Sequence, residues 1–220
     1  MQTKQTVSII GSTGNMGSAI AKSLAKGNYR LLLLSGPNNT ADSLADEIRS
    51  LHPGAEVESI DCCYNASWEA EIIILAIPFE DEIAIAEKIR EVANQKIVIS
   101  IANPLNETYD GLLTSPDTSA AEQLQKLLPN SKVVKAFNTI LAANFDQPVL
   151  AGKQTDAFIA GDDEEALDLV SKLVQTTGFN PLIAGPLSTS RILESMQLLL
   201  VQLNFKNEYN WQAGWKIFRN

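Results

Sequence analysis

Two hydrophobic periodicities alternate along the 220-residue chain. Short apolar runs rich in β-branched residues or leucine indicate buried strands, and between them apolar residues recur every three or four positions, which indicates helices. Residues 72–77 are apolar throughout, as expected of a strand covered on both faces. Strands are predicted at residues 7–10, 31–34, 57–60, 72–77, 96–100, 133–137, 157–160 and 181–184. This alternation predicts an α/β fold with a doubly wound, mainly parallel sheet.

Residues 186–220 follow a different pattern. The stretch 192–205 is apolar on more than one face, and Trp211, Trp215 and Phe218 follow it at helical spacing. We expect these aromatic residues to pack a terminal helix against the sheet or against a second subunit, and the surplus of apolar surface favours a homodimer. The chain is therefore predicted to consist of a domain at 1–185 and a C-terminal helical segment at 186–220.

Composition limits the partners of the protein. With 45% hydrophobic and 20% charged residues the chain is an ordinary globular sequence. Its net charge of -9 and pI near 4.7 argue against nucleic acid or an anionic membrane surface, so a small-molecule partner is expected. The start of the chain is too short and polar for a signal peptide, and no stretch approaches the ~20 apolar residues of a membrane span. A cytoplasmic protein is predicted.

No metal centre is expected. The chain has one histidine and two adjacent cysteines, Cys62 and Cys63. Adjacent cysteines rarely reach the geometry of a disulfide with each other, so we interpret both as reduced thiols. The acidic run at 161–165 is predicted to stabilise the start of a helix through its dipole, because negative charge is favoured at a helix N-terminus.

A glycine-rich loop joins the first predicted strand to the first predicted helix, and it consists of Gly11, Ser12, Thr13, Gly14, Asn15, Met16 and Gly17. Ser12 stands where the dinucleotide motif G-x-G-x-x-G has its first glycine, while Gly14 and Gly17 keep their places. Gly14 would let the backbone approach a pyrophosphate, Gly17 would let the helix pack close to the strand, and the helix N-terminus offers free N–H groups. A Rossmann-like dinucleotide-binding domain is predicted.

Two further loops are expected at the same rim. Ala76, Ile77 and Pro78 end the fourth predicted strand, and Asn103 and Pro104 follow the fifth. Ligands of doubly wound sheets bind outside the carboxyl ends of the strands. A nicotinamide ring is therefore expected between these loops, although either proline could also be a plain strand terminator.

At this point the sequence resembles a known family. The stretches that carry the resemblance, in this order, are GSTGNMGSAIAKSLA, LAIPFE, SIANPL, SAAEQLQKLLPNSKVVKAFNTI and AGPLSTSRILESM. They are similar to NADP oxidoreductases that depend on a deazaflavin coenzyme, a domain that recurs in bacterial dinucleotide-binding oxidoreductases and in the cytosolic part of six-transmembrane metalloreductases. The resemblance covers nearly the whole chain.

The resemblance implies hydride transfer between NADP(H) and a flat deazaflavin or flavin. By the family pattern Thr13, Asn15 and Met16 lie in the phosphate loop, Ile77 and Pro78 border the cofactor, and Asn103 and Pro104 face the nicotinamide. The acceptor pocket is expected to involve Phe137, Asn138, Thr139, Leu187 and Ser188. Hydride transfer needs two rings held about 3–3.5 Å apart, so no general acid or base is assigned. Lys135 is the one candidate for a charged helper, with a solvated or paired charge as the alternative.

The tip of the second strand departs from the family pattern. Relatives commonly have Ser-Arg there, with the arginine holding the 2′-phosphate, whereas here Gly36 follows Ser35. No acid replaces the arginine, and Ser35 and Asn38 still offer neutral polar groups. The sequence therefore favours NADP(H) over NAD(H).

Three functional alternatives remain open at the sequence level. The acceptor could be deazaflavin, a free flavin, a quinone or a flavin-bound metal chelate. The fold also allows a non-catalytic NADP(H) sensor that acts through a partner protein, in which side chains would fill the acceptor pocket. A third possibility is a subunit that uses Trp211 and Trp215 to dock onto a larger reductase.

Overall fold

The computed structural model describes residues 4–36 and 41–219. Within them the strands are β1 (Gln5–Ile10), β2 (Tyr29–Leu34), β3 (Glu56–Ser59), β4 (Ile72–Leu75), β5 (Ile97–Ser100), β6 (Lys132–Lys135), β7 (Val149–Leu150), β8 (Lys153–Gln154), β9 (Asp156–Gly161) and β10 (Asn180–Gly185). The helices are α1 (Asn15–Leu24), α2 (Ala41–Leu51), α3 (Cys63–Glu69), α4 (Phe79–Ile89), α5 (Ala120–Leu127), α6 (Glu164–Thr176) and α7 (Ser190–Asn207). Short 3-10 turns occur at Ala142–Phe145 and Leu187–Thr189.

Eight strands form one sheet in the order β10-β9-β6-β5-β4-β1-β2-β3, and β7 and β8 form a separate hairpin. Strands β1 to β6 are mutually parallel, while β9 runs antiparallel to β6 and β10 is parallel to β9. The strand order reverses at β1, which has β2 on one side and β4 on the other. A crevice for a ligand opens at such a switch point, outside the carboxyl ends of the strands.

Helices cover both faces of the sheet, which confirms the predicted Rossmann-like fold. On one face, α1, α2 and α6 pack over apolar side chains of β1, β2 and β9. On the other, α4 and α5 pack over β4, β5 and β6. The central strands β4 and β5 are buried along their whole length, and this accounts for the unbroken apolar run seen in the sequence.

The acidic run at 161–165 caps α6 as predicted. The carboxylate of Asp163 accepts a hydrogen bond from the backbone N–H of Ala166 (2.8 Å), and Glu164 and Glu165 lie in the first turn. These negative charges stabilise the N-terminal end of the helix dipole.

The prediction of a terminal helix carrying Trp211, Trp215 and Phe218 is wrong. Helix α7 ends at Asn207, and the next residue, Glu208, has a φ of 54°, which closes the helix with a left-handed cap. Residues 209–219, which follow it, are not helical. Trp215 packs inward against Phe158 and Leu193, while Trp211 remains partly exposed.

Two features of the fold could not be predicted from the sequence pattern. Helix α3 has only seven residues, too few for a clear helical period, and the reversed direction of β9 and β10 leaves no mark in hydrophobicity. Division of the chain at residue 185 stays a prediction. No helix in the described part of the chain has the length and apolar character to cross a membrane.

Candidate functional site

The loop after β1 makes its tight turn at Gly11. Gly11 has a φ of 86°, a left-handed conformation that favours glycine, and a Cβ there would overlap the carbonyl group of Ala76. Ser12, at the place of the motif's first glycine, is buried and donates its hydroxyl to the carbonyl oxygen of Leu34 (3.1 Å). The glycine that the turn requires therefore lies one residue earlier than the sequence motif implies.

Helix α1 begins at Asn15 with Gly14 as its N-cap, and no side chain caps it. The N–H groups of the first turn have no partners within the helix and are directed out of its N-terminal end, where they favour an anion. A Cβ at Gly14 would lie 3.5 Å from the Gly11 carbonyl oxygen, whereas a Cβ at Gly17 would overlap that oxygen. Gly17 thus holds α1 against the β1 turn, and Gly14 keeps the approach to the helix end open.

Ala76 and Ile77 lie directly against this phosphate loop. The N–H of Ala76 donates to the carbonyl oxygen of Ile10 (2.8 Å), and a side chain at Gly11 would collide with both Ala76 and Ile77. Pro78 follows as the N-cap of α4. The structure therefore brings the first two predicted cofactor loops together.

The loops after β5 and β6 are joined by a pair of amides. The side-chain amide of Asn103 donates to the carbonyl oxygen of Asn138 (2.9 Å), and the amide of Asn138 donates to Oδ1 of Asn103 (3.0 Å). Phe137, fully buried, has a φ of 61°, which is rare for a bulky residue and typical of functional turns. Its left-handed backbone turns Asn138 toward Asn103.

We call the space between these loops the inner cavity. Its volume is about 230 Å³, and it is lined by Asn15, Met16, Ile101, Asn103, Phe137, Asn138, Ile140, Leu141, Ala142 and Gln197. Asn138 and Gln197 both line this cavity, and their side-chain oxygens, Oδ1 and Oε1, are buried in its wall without a hydrogen-bond partner among the described residues. Leaving such atoms unpaired costs free energy, and both could accept hydrogen bonds from a carboxamide.

A second space, the outer cavity, adjoins the first. It measures about 570 Å³ and shares Asn15, Leu141 and Ala142 with the inner cavity. Trp211 from the tail and Lys22 from α1 complete its walls. We call these two adjoining cavities the cleft, and their volumes leave room for one ring in each.

A third space, which we call the β2 cavity, lies at the carboxyl ends of β2 and β3. It has a volume of about 400 Å³ and is lined by Leu34, Ser35, Gly36, Ile60, Asp61, Cys63, Ile85 and Lys88. Leu34 also accepts the N–H groups of Gly11 and Ser12 (both 2.9 Å), so this cavity adjoins the phosphate loop. Asn38, predicted to contact the cofactor, lies outside the described residues.

Three ionisable side chains are buried beside the Asn103 loop. Lys135 and Glu194 are fully buried and form an ion pair (2.7 Å), and Lys135 also donates to the carbonyl oxygen of Ala102. Glu194 accepts the N–H of Ala120 at the start of α5 (3.1 Å). Lys135 is therefore a paired charge that holds the loop before Asn103.

Glu82 is the third buried ionisable group, and its carboxyl accepts a hydrogen bond from Ser100 Oγ (2.9 Å). Burial raises the pKa of Glu82 to about 7, although Lys135 and Ser100 oppose the rise. The folded state therefore binds this proton more tightly than the unfolded chain. Its stabilising effect is complete below the ordinary carboxyl pKa and is lost as the pH rises through about 7.

Replacing Glu82 with glutamine is expected to remove that pH dependence. Between about pH 5 and about pH 8, the free energy of unfolding of the wild-type protein should fall by about 2–3 kcal/mol relative to that of Glu82→Gln. Urea unfolding of both proteins across this range measures the difference. A constant difference at all pH values would show that Glu82 titrates normally.

Leu187 and Ser188 are not brought to the inner cavity within this chain. They follow β10. Because β9 and β10 run opposite to β6, the carboxyl end of β10 lies at the same rim of the sheet as the amino end of β6, away from the inner cavity. Leu187 packs into the core with Val133, and its N–H donates to Asp162 (2.9 Å). Thr139 and Pro104 are buried behind the cavity wall.

Several residues that line the cavities were not predicted. Gln197 is carried by α7, and a polar residue within an apolar helical stretch could have drawn attention to it. Lys88 gives no such signal, because an exposed lysine on a helix is usually solvated. Within the described residues, no group of three or more histidine, cysteine or acidic side chains comes close enough together to hold a metal ion.

Comparison with known proteins shows which family the chain resembles. Residues 6–104 match the family described as NADP oxidoreductase, coenzyme F420-dependent. The chain is 33% identical over 211 residues to the F420-dependent NADP reductase of Methanocaldococcus jannaschii, which covers 91% of this chain and 92% of that protein. It is 28% identical over 196 residues to Metalloreductase STEAP3 of Rattus norvegicus, covering 89% of this chain and 37% of the rat protein.

The fold has a close counterpart among solved structures. A crystal structure of a proposed F420-dependent NADP-reductase from Arthrobacter sp. FB24 superimposes with a TM-score of 0.82 at 23% identity, over 97% of this chain and 99% of the other. The superposition thus covers nearly the whole of both chains.

Proposed function

The chain belongs to the family of F420-dependent NADP reductases, and from this premise we propose that it transfers a hydride between NADP(H) and the deazaflavin coenzyme F420. The observation that carries the proposal is the cleft formed by the adjoining inner and outer cavities beside the phosphate loop. A nicotinamide in the inner cavity would face a ring system in the outer one, which is the arrangement that hydride transfer needs.

The chain's contribution is to bind and orient the two substrates. The N-terminus of α1, with Gly14 and Asn15, would hold the pyrophosphate. Asn138 Oδ1 and Gln197 Oε1, which lack partners among the described residues, would accept the N–H groups of the nicotinamide carboxamide. The Asn103–Asn138 pair fixes the wall against which the ring lies.

The reaction itself passes between the substrates. NADPH loses a hydride from C4 of its dihydronicotinamide, the deazaflavin gains it at C5, and one proton from solvent completes the reduced deazaflavin. The apolar walls supplied by Ile140, Leu141 and Ala142 would exclude water from the space between the rings. No acid or base of the chain is required, and the chemistry belongs to the cofactors.

A panel of acceptors tests this function. Steady-state oxidation of NADPH should be fast with coenzyme F420 and slow with free flavin, quinone or a ferric chelate. Absence of turnover with every acceptor would favour the sensor alternative. The open cleft supports the enzyme, because a sensor needs no space for a second ring.

We propose further that the protein is a homodimer that pairs through α7. Ile192 and Leu199 are 62% and 46% exposed and lie two turns apart on one side of the helix. Apolar side chains in such a row are typical of a subunit interface.

Light scattering of the purified protein should give twice the chain mass of 23.9 kDa. The double variant Ile192→Glu/Leu199→Glu should give a monomer that still unfolds cooperatively. A wild-type monomer at micromolar concentration would contradict the dimer.

A cytoplasmic location is proposed on the free thiol of exposed Cys62, and finding this thiol blocked by a disulfide in the native protein would count against it.

A further inference from the structure

The β2 cavity has the position of an adenosine site. It adjoins the phosphate loop through Leu34, whose carbonyl oxygen accepts the N–H groups of Gly11 and Ser12. A dinucleotide with its pyrophosphate at α1 and its nicotinamide in the inner cavity therefore has its adenosine end here. Ile60 and Ile85 supply apolar walls for a purine, and Ser35 supplies a polar group at the rim.

The described part of the β2 tip, Ser35 and Gly36, carries no cation. Gly36 is exposed, and a Cβ there would meet no atom of the described residues within 4 Å. Arg30, on the same strand, is engaged elsewhere by Glu58 (3.0 Å) and Glu69 (2.9 Å). A phosphate on the adenosine ribose thus needs another positive group.

Lys88 is the cation that lines the β2 cavity among the described residues. It extends from the last turn of α4 and is exposed. The ion pairs of the described residues do not include it. Its charge already acts on the cavity wall: burial raises the pKa of the Cys63 thiol, the neighbouring Cys62 adds to the rise, and Lys88 opposes it.

Asp61 is the opposing charge at this cavity. It follows β3, is exposed, and lines the same space as Lys88. A carboxylate at this position repels a phosphate, so the two residues are expected to affect phosphate binding in opposite directions.

Resting on the proposed function, we propose that Lys88 recognises the 2′-phosphate of NADP(H), since the described part of the β2 tip carries no cation. The lysine reaches the phosphate from α4, on another wall of the cavity than the β2 tip. An ammonium group binds phosphate as a point charge without the fixed geometry of a guanidinium. The resulting preference for NADP(H) depends on Lys88 and is reduced by Asp61.

Nucleotide binding by the full chain tests this role, with dissociation constants for NADPH and NADH measured by calorimetry at low and high salt. Lys88→Gln should weaken NADPH binding about tenfold and leave NADH within about twofold, because only NADPH carries the 2′-phosphate. Asp61→Asn should tighten NADPH roughly threefold. Lys172→Gln, which removes an exposed lysine from α6, is the matched control and should change neither constant.

A second substitution distinguishes charge from local structure. Gly36→Arg in the Lys88→Gln background should restore NADPH affinity without affecting NADH, since no described residue would block a side chain at position 36. Equal losses for both nucleotides, or no loss for NADPH, would overturn the role of Lys88 while the proposed function stands. If the wild-type protein bound neither nucleotide, the proposed function would fall with it.

Discussion

Lys135→Met is expected to lower the free energy of unfolding by roughly 3–5 kcal/mol, because it leaves the carboxylate of Glu194 buried without its counter-charge. Both partners of this ion pair are fully buried, at an N–O distance of 2.7 Å. The lysine also opposes the raised pKa of Glu82, so its loss should push that pKa higher still. Urea unfolding at neutral pH measures the change.

The double variant Lys135→Met/Glu194→Gln separates the charge from the packing. Glutamine keeps an acceptor for the N–H of Ala120 and carries no charge, so the double variant should recover a large part of the stability lost in Lys135→Met. A loss below about 1 kcal/mol in the single variant would show that Glu194 is protonated or solvated when Lys135 is absent.

Gly14→Ala and Gly17→Ala are expected to separate ligand binding from folding at the phosphate loop. At Gly17 an added Cβ would overlap the Gly11 carbonyl oxygen, so α1 must move away from β1. We expect the free energy of unfolding to fall by about 1–3 kcal/mol and NADPH binding to weaken by about a hundredfold, equivalent to about 3 kcal/mol.

At Gly14 the protein itself leaves room for a methyl group, since the nearest atom is 3.5 Å away and the φ of -69° suits alanine. Stability should change by no more than about 1 kcal/mol, while the methyl group would project toward the pyrophosphate and weaken NADPH binding at least about tenfold. Unfolding curves and binding isotherms of both variants make the comparison. Unchanged NADPH affinity in Gly14→Ala would place the pyrophosphate elsewhere.

Local patterns predicted the sheet and the helices that cover it because the apolar residues of these elements recur with a clear period. The apolar run at 72–77 and the glycine loop at 11–17 determine both the fold and the place of the phosphate loop. The direction of β9 could not be predicted, because parallel and antiparallel buried strands have the same apolar composition. That reversal decides the position of Leu187 and Ser188.

Residues brought together from distant parts of the chain were the hardest to predict. Gln197 reaches the inner cavity only because α7 packs across the sheet, and Lys88 reaches the β2 cavity because α4 lies beside α3. In the sequence Lys135 resembles a solvated lysine at the end of a strand, and only the fold shows that it pairs with Glu194. The prediction of a helical tail was wrong for another reason. The backbone is left-handed at Glu208, Asn210 and Trp211, which prevents a helix in spite of the helical spacing of the aromatic residues.

Direct hydride transfer in the cleft is tested most sharply by NADPH that carries deuterium at both hydrogen positions of nicotinamide C4. After a single turnover with coenzyme F420, mass spectrometry of the reduced deazaflavin should show one deuterium, bound at its C5 carbon. Carbon-bound label does not exchange with water, so transfer between two aligned rings predicts its full retention. Reduced deazaflavin without label, or no reduction by the purified protein, would contradict the proposed function.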